Sequence, residues 1–201
     1  MLIGLDSVNV AVLVSGNGTN LQALIDAQSS GMLGRGKIVK VIASRADAYA
    51  LKRAETAGIE TAVIERKDYK CIDDFDNAIL SALQGCRAEL VVLAGFMSIL
   101  GGKIIDKYRN KIINVHPALI PSFCGIGYYG LKVHEEALKK GVKITGATVH
   151  FVNEIPDGGK IILQKAVEVL DDDTPESLQR RVMEQAEWKI LPKAVYMLCN
   201  D

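Results

Sequence analysis

The segment Ile112 to Pro117, I-I-N-V-H-P, sets an amide and an imidazole two residues apart. Residues two apart in an extended chain point the same way, so Asn114 and His116 leave the backbone on one side. Pro117 cannot donate to a sheet ladder and pushes His116 toward an extended conformation, which places the pair where a strand ends, at the rim of a pocket. An amide donor beside a titratable ring is suited to holding a developing oxyanion. On spacing alone, the same couple also serves as buried polar groups that satisfy a loop backbone.

Other segments carry chemistry of their own. Ser15 to Asn20, S-G-N-G-T-N, lies between an apolar run and a helical pattern. Free N–H groups at a helix start favour an anion there, and glycines let it approach closely, so a phosphate fits this loop. A plain turn has the same composition. The loop is no dinucleotide fingerprint, since Leu21 stands where a third glycine belongs, and no P-loop, since no G-K-[ST] follows. Ser44-Arg45 could instead meet the extra phosphate of NADP, the best argument for a reductase. Phe96, Met97, Ser98, Ile99 and Leu100 form an apolar loop against which a flat heterocycle could lie, or which packs into the core. Asp157, followed by two glycines, is ordinary turn chemistry; folded over His116, it would orient that ring and raise its pKa. Glu187 falls in line with Met183 and Leu191, so its carboxylate points near an apolar face and needs a partner, an open pocket or a route to water. His150, inside an apolar strand, suits a hydrogen-bonded structural role, and His134, on a charged helix, is expected to face solvent. Cys124 lacks a neighbouring histidine to activate it.

The elements that must position these groups alternate. Apolar runs at Val8–Val14, Ile38–Ala43, Glu60–Ile64, Leu90–Ala94 and Lys111–Val115 are separated by helical patterns. Such runs predict an α/β, Rossmann-like, mostly parallel sheet with helices on both faces. Beyond His116 come a proline- and glycine-rich loop, a helix at Val133–Lys140, and runs at Lys143–Val152 and Lys160–Val169, joined by a turn and predicted to form an antiparallel pair. Thr174-Pro175 then caps a long C-terminal helix whose apolar residues include Leu178, Val182, Ala186 and Ile190, and which Pro192 should kink or divide.

The chain has 201 residues, 49% of them hydrophobic, enough for one domain over residues 1–201. Lysines and arginines balance aspartates and glutamates at 24 each, so no cationic excess drives binding to nucleic acid or an anionic membrane. The N-terminal M-L-I-G-L-D-S lacks the pattern of a signal peptide, and the apolar stretch Leu90–Leu100 is too short to span a membrane. A cytoplasmic protein is expected. Cys71, Cys86, Cys124 and Cys199 show no C-x-x-C spacing, so reduced thiols and no metal site are expected.

Taken together, S-G-N-G-T-N-L-Q-A, A-G-F-M-S-I-L, I-N-V-H-P-A-L-I-P-S-F, G-A-T-V-H-F-V-N-E-I-P-D-G-G and I-L-Q-K-A-V resemble the folate-dependent formyltransferases, and the first of these motifs points to the glycinamide ribonucleotide branch. The resemblance runs from about Val8 to Leu198. It implies formyl transfer from 10-formyltetrahydrofolate, as co-substrate and without a metal, to the amine of glycinamide ribonucleotide in purine biosynthesis, by a monomer or homodimer. Residues 8–115 would be the phosphate-binding half and 116–201 the folate and catalytic half. Asn114, His116 and Asp157 would be catalytic, with His116 protonated; Gly18, Thr19 and Asn20 would hold the phosphate and Glu187 the substrate amine. Phe96 to Leu100, with Val152, Asn153 and Ile155, would line the folate site. The motifs depart from many relatives at Ser98, where a basic residue is common, at Trp188, where histidine is, and at Cys124, where proline is. Formyltetrahydrofolate hydrolysis and methionyl-tRNA formylation are the neighbouring activities, and zero net charge speaks against the latter.

Overall fold

The structure is a computed structural model that describes residues 7–201; residues 1–6, nearly all of the stretch judged for an export signal, lie outside it. In chain order the parallel part contains β1 (Val8–Val14), α1 (Thr19–Ser29), β2 (Gly36–Ala43), α2 (Tyr49–Thr56), β3 (Glu60–Val63), α3 (Ile72–Gly85), β4 (Leu90–Leu93), α4 (Gly102–Lys107) and β5 (Ile112–His116). Then follow α5 (Leu131–Lys140), β6 (Ile144–Phe151), β7 (Ile161–Glu168), α6 (Pro175–Val182) and α7 (Trp188–Asn200). The strand and helix bounds expected from periodicity agree within two residues.

All seven strands join one sheet in the order β3-β2-β1-β4-β5-β6-β7. The first five run parallel, β6 is antiparallel to β5, and β7 is antiparallel to β6. Alternation along each strand sorts side chains between two cores. From β1, Val10, Val12 and Val14 enter the core built with α1, α6 and α7, whereas Ala11 and Leu13 enter the one built with α3 and α4. The order of winding reverses between β1 and β4, the crevice where open α/β sheets bind ligands beyond their strand ends.

The same alternation creates a polar strip. In β5, Ile113 and Val115 face the first core and Ile112 the second, which sends Asn114 and His116 to the side of Ile112. Across the ladder, Asn114 pairs with His150 and His116 with Thr148. Four polar residues thus share one face. Thr148 Oγ1 donates to the Ala118 carbonyl at 2.7 Å and accepts from Ile120 N–H at 3.1 Å, pinning the start of the loop that covers them.

The C-terminal helix is divided, as Pro192 suggested, but ahead of the proline. A wide π turn at Met183–Glu187 separates α6 from α7, and Pro192 lies within α7. The missing proline N–H and its ring disturb the carbonyl four residues back, at Trp188, immediately after that turn. Thr174 caps α6 by a reciprocal pair: its hydroxyl accepts from Ser177 N–H at 3.2 Å, and Ser177 Oγ accepts from Thr174 N–H at 2.9 Å. Thr174→Ala removes half of this box. We expect it to destabilise the protein by about 1 kcal/mol and to lower its melting temperature by about 2–4 °C, with scanning calorimetry as the check.

Candidate active site

The turn after β6 brings Asp157 back over the polar strip. Asp157 has φ +56°, a left-handed conformation uncommon for a residue with a side chain. Gly159 permits the arch, because a Cβ there would lie 1.7 Å from the Phe151 carbonyl oxygen. The result is a carboxylate between two buried imidazoles. Asp157 Oδ2 lies 3.6 Å from His116 Nδ1, and Oδ1 lies 3.5 Å from His150 Nε2. Asn114 Nδ2 lies 3.2 Å from the same His150 nitrogen. Asn114, His116 and Asp157 are therefore gathered into one group, with His150 joining them more intimately than its strand position suggested.

Hydrogen-bond polarity fixes the tautomers. His116 Nε2 lies 2.8 Å from the Phe123 carbonyl, which only accepts, so this nitrogen carries a proton. His150 Nδ1 likewise donates to the Phe151 carbonyl at 2.8 Å, and in the singly protonated ring Nε2 accepts from Asn114. An amide nitrogen has two hydrogens. One anchors Asn114 to His150 and the other is available.

Burial governs the charges. His116 is held below its ordinary pKa of 6.5 chiefly by desolvation, against the opposing pull of Asp157 and of the Phe123 carbonyl. The expectation that Asp157 would leave this ring protonated is thus corrected: the imidazole is only 4% exposed, and loss of water outweighs the carboxylate. Asp157 is itself desolvated, yet interactions with His150, with Gly125 N–H at 2.8 Å and with His116 together hold it below the usual aspartate value. Phe123 and Gly125 come from the loop after β5 and meet the group through backbone atoms, so side-chain chemistry gave no sign of them.

The Ser15–Asn20 loop leads from β1 into α1. Gly18 starts α1 at φ +70°, with no side-chain cap and no acidic residue in the first turn, which leaves the helix's leading N–H groups for an anion. A Cβ at Gly18 would stand 2.6 Å from Ala50 Cβ, so only glycine lets the loop pack on α2. Asn20 Nδ2 donates to Glu187 Oε2 at 2.6 Å. This places Glu187 beside the start of α1, and among the described residues no contact joins it to Asn114, His116 or Asp157. Burial pushes its carboxyl pKa up to about 7, partly opposed by Asn20.

The apolar loop divides in two. Phe96 and Leu100 turn into the core, whereas Met97 and Ile99 are 58% and 77% exposed, with Ser98 between them. In the turn after β6, Val152 packs against the second core, Asn153 Oδ1 accepts from Ile155 N–H at 3.0 Å, and Ile155 is 65% exposed. Met97, Ile99 and Ile155 are thus the members open to a ligand. His134 corrects another expectation: it is fully buried with Val133 and Ala137 on one face of α5, neither ring nitrogen has a partner among the described residues, and burial lowers its pKa to about 4. The charged neighbours in its segment lie on the other faces of the helix.

Comparison with known proteins gives these features a context. The formyl transferase domain family matches residues 8–195. The chain belongs to the formyl transferase family. It is 44% identical to the phosphoribosylglycinamide formyltransferase of Haemophilus influenzae, over 92% of this chain and 84% of that one. It is 46% identical to the human trifunctional purine biosynthetic protein adenosine-3 over 95% of its length, but spans only 18% of that protein. The crystal structure of glycinamide ribonucleotide transformylase 1 from Symbiobacterium toebii superimposes with a TM-score of 0.90 at 41% identity, covering 96% of this chain and 88% of that one. Membership of the formyl transferase family removes the reductase reading of Ser44-Arg45. Arg45 is instead paired through two nitrogens with Asp47, at 2.9 and 2.6 Å. No helix among the described residues is long and apolar enough to cross a membrane.

The raised Glu187 pKa makes stability depend on pH. Between the ordinary value of 4.5 and about 7, the folded state binds this proton more tightly than the unfolded one, so the group's contribution falls as pH rises through that window. Glu187→Gln removes the loss. Its stability relative to the parent should rise by on the order of 3 kcal/mol between about pH 5 and about pH 8 in urea denaturation series. Parallel curves for the two proteins would contradict the assignment.

Proposed function

We propose that this chain transfers the formyl group of 10-formyltetrahydrofolate to the primary amine of glycinamide ribonucleotide, a step of purine biosynthesis, in the cytoplasm. Family membership and the activities named for its relatives support the reaction class. The observation that carries the reading is the Asp157 carboxylate held against His116 and His150 beside Asn114, on the same sheet edge as an uncapped α1 terminus.

The acceptor's phosphate lies at Gly18, Thr19 and Asn20, and Glu187 meets the ribonucleotide near that loop. The folate's flat portion rests on Met97, Ile99 and Ile155, over Val152 and Asn153. The amine nitrogen attacks the formyl carbon, and negative charge grows on the formyl oxygen. The free Asn114 N–H donates to that oxygen, as does His116 Nε2–H once it exchanges the Phe123 carbonyl for the substrate. A neutral imidazole suffices for this. The proton that leaves the amine is taken up between His116 Nδ1 and Asp157 Oδ2, where two acceptors now face one another. The bond to the folate nitrogen then breaks, and that nitrogen receives the proton.

The assay is release of tetrahydrofolate from the formyl donor, which must require glycinamide ribonucleotide; release without the acceptor would mean hydrolysis and defeat the proposal. Asn114→Ala and His116→Ala should each lower kcat by roughly a hundred- to a thousandfold. Because protonation of His116 fills the acceptor nitrogen, turnover should fall on the acid side, below about pH 6.5. Asp157→Asn should lower kcat by about 10²- to 10⁴-fold. It should also move that acid limb to lower pH, since Asp157 stabilises the imidazolium; a limb displaced upward would refute the coupling.

A further inference from the structure

The loop proposed to hold the acceptor's phosphate has no cation of its own. From Ser15 to Asn20 every side chain is neutral, and the first turn of α1 adds no charge. A phosphate monoester carries about −1.5 to −2 charges at pH 7, so this loop depends on well-aimed backbone donors and on positive charge brought from elsewhere. The helix packed behind it, α2, supplies both.

Two successive carbonyls of the loop are turned onto α2. The Gly16 carbonyl accepts from Ala50 N–H at 3.1 Å, and the Asn17 carbonyl accepts from Arg53 Nε at 2.8 Å. In a trans peptide the carbonyl and the following N–H point in opposite directions, so these two bonds send the Asn17 and Gly18 N–H groups away from α2. Neither N–H has an acceptor among the described residues. With the leading N–H groups of α1 they make a run of free donors, the kind of backbone surface that binds anions.

Arg53 spans the turn. While Nε holds Asn17, Nη1 donates to Gln22 Oε1 at 3.0 Å, so one planar fork ties the residue before the left-handed Gly18 to the first turn after it. The guanidinium carbon lies 5.0 Å from the centroid of the Tyr49 ring, and Arg53 Cδ would lie 3.5 Å from a Cβ at Gly18, directly behind the loop. Gln22 Nε2 in turn donates to Asp26 Oδ1 at 2.8 Å. The acid in this chain of contacts thus meets an amide and not the guanidinium. Arg53 has no carboxylate partner among the described residues, and no ion pair cancels its charge.

We infer that Arg53 is a positioning residue for the acceptor's phosphate: it holds the Asn17 carbonyl from behind, so that the Asn17 and Gly18 N–H groups face the anion, and adds its charge to theirs. The inference rests on the formyl-transfer reading, which puts the phosphate at this loop, and it extends that site to α2. Its test is titration calorimetry with two ligands, glycinamide ribonucleotide and the phosphate-free glycinamide riboside. The parent protein should bind the ribonucleotide more tightly. Arg53→Met keeps much of the stem beside Gly18 but loses the donors and the charge, and it should cut the ratio of the two affinities by about tenfold or more, the scale of a charge-assisted hydrogen bond. In transfer assays the same loss should appear in the acceptor's KM and leave the folate's KM in place, whereas general damage to the fold would weaken every ligand alike. If Arg53→Met does not fold, Arg53→Lys serves instead: it keeps a cation but cannot hold Asn17 and Gln22 together, and should lower the ratio by a smaller factor. A ratio that stays at the parent value in the methionine variant, or in the lysine variant where only that one folds, would overturn the role of Arg53 and leave the phosphate site standing. Equal affinity of the parent protein for the two ligands would instead overturn the phosphate reading of the loop.

Discussion

The site depends on one constraint: a carboxylate must stay ionised while largely withdrawn from water. Burial alone would raise the pKa of Asp157, and three groups reverse that outcome, namely two imidazoles and the Gly125 N–H. Each comes from a different stretch of chain. His116 ends β5, His150 lies across the ladder on β6, and Gly125 belongs to the loop between β5 and α5. The left-handed backbone at Asp157 opposes the arrangement by an amount on the order of 1 kcal/mol or more. The turn holds because Gly159 lets it lie against the end of β6, where any side chain would strike a carbonyl.

Two buried carboxyl groups in one protein show how environment divides labour. Asp157 accepts from the Gly125 N–H between two imidazoles and stays low, whereas Glu187 has a single amide donor and rises to about 7. Pairs of acids driven apart in this way suit different tasks. In the proposed reaction Asp157 remains a permanent anion against which His116 can gain and lose a proton. In the same proposal Glu187 meets the acceptor as a neutral acid or as an anion near neutral pH, which couples acceptor binding to its protonation. The π turn helps to place it, since the widened backbone of Met183–Glu187 carries this residue into the space beside Asn20.

Much of the architecture was legible because it follows from short periodicities. Apolar runs separated by helical patterns dictated the parallel sheet, and Thr174-Pro175 marked a helix start that the reciprocal Ser177 contact bears out. The two-residue offset of Asn114 and His116 put both on one face for the same geometric reason. What stayed hidden depends on contacts remote in sequence or made by backbone. The Phe123 carbonyl and Gly125 N–H have no side-chain signature. The net pKa of His116 needed the degree of burial, which a motif cannot supply, and His134 was misjudged because charged neighbours say less about exposure than the helical face a residue occupies. Phe96 and Leu100 were grouped with Met97 to Ile99 by composition, but the loop's path sends the first two inward.

The polar strip also explains why the chemistry belongs at this place in the sheet. Along β1 and β4, both faces are packed against helices, so a polar side chain there would need a partner within a core. At β5 the sheet changes from parallel to antiparallel. The ladder beyond it is built by a strand and a turn, and their loops rather than a helix cover the face that bears Asn114, His116, Thr148 and His150. Loop backbone supplies carbonyl and N–H partners that can be exchanged for those of a ligand, whereas a packed helix, with its own groups already bonded, offers none. The antiparallel addition therefore creates a surface that is shielded from water yet still able to trade hydrogen bonds, the condition that oxyanion stabilisation by fixed donors requires.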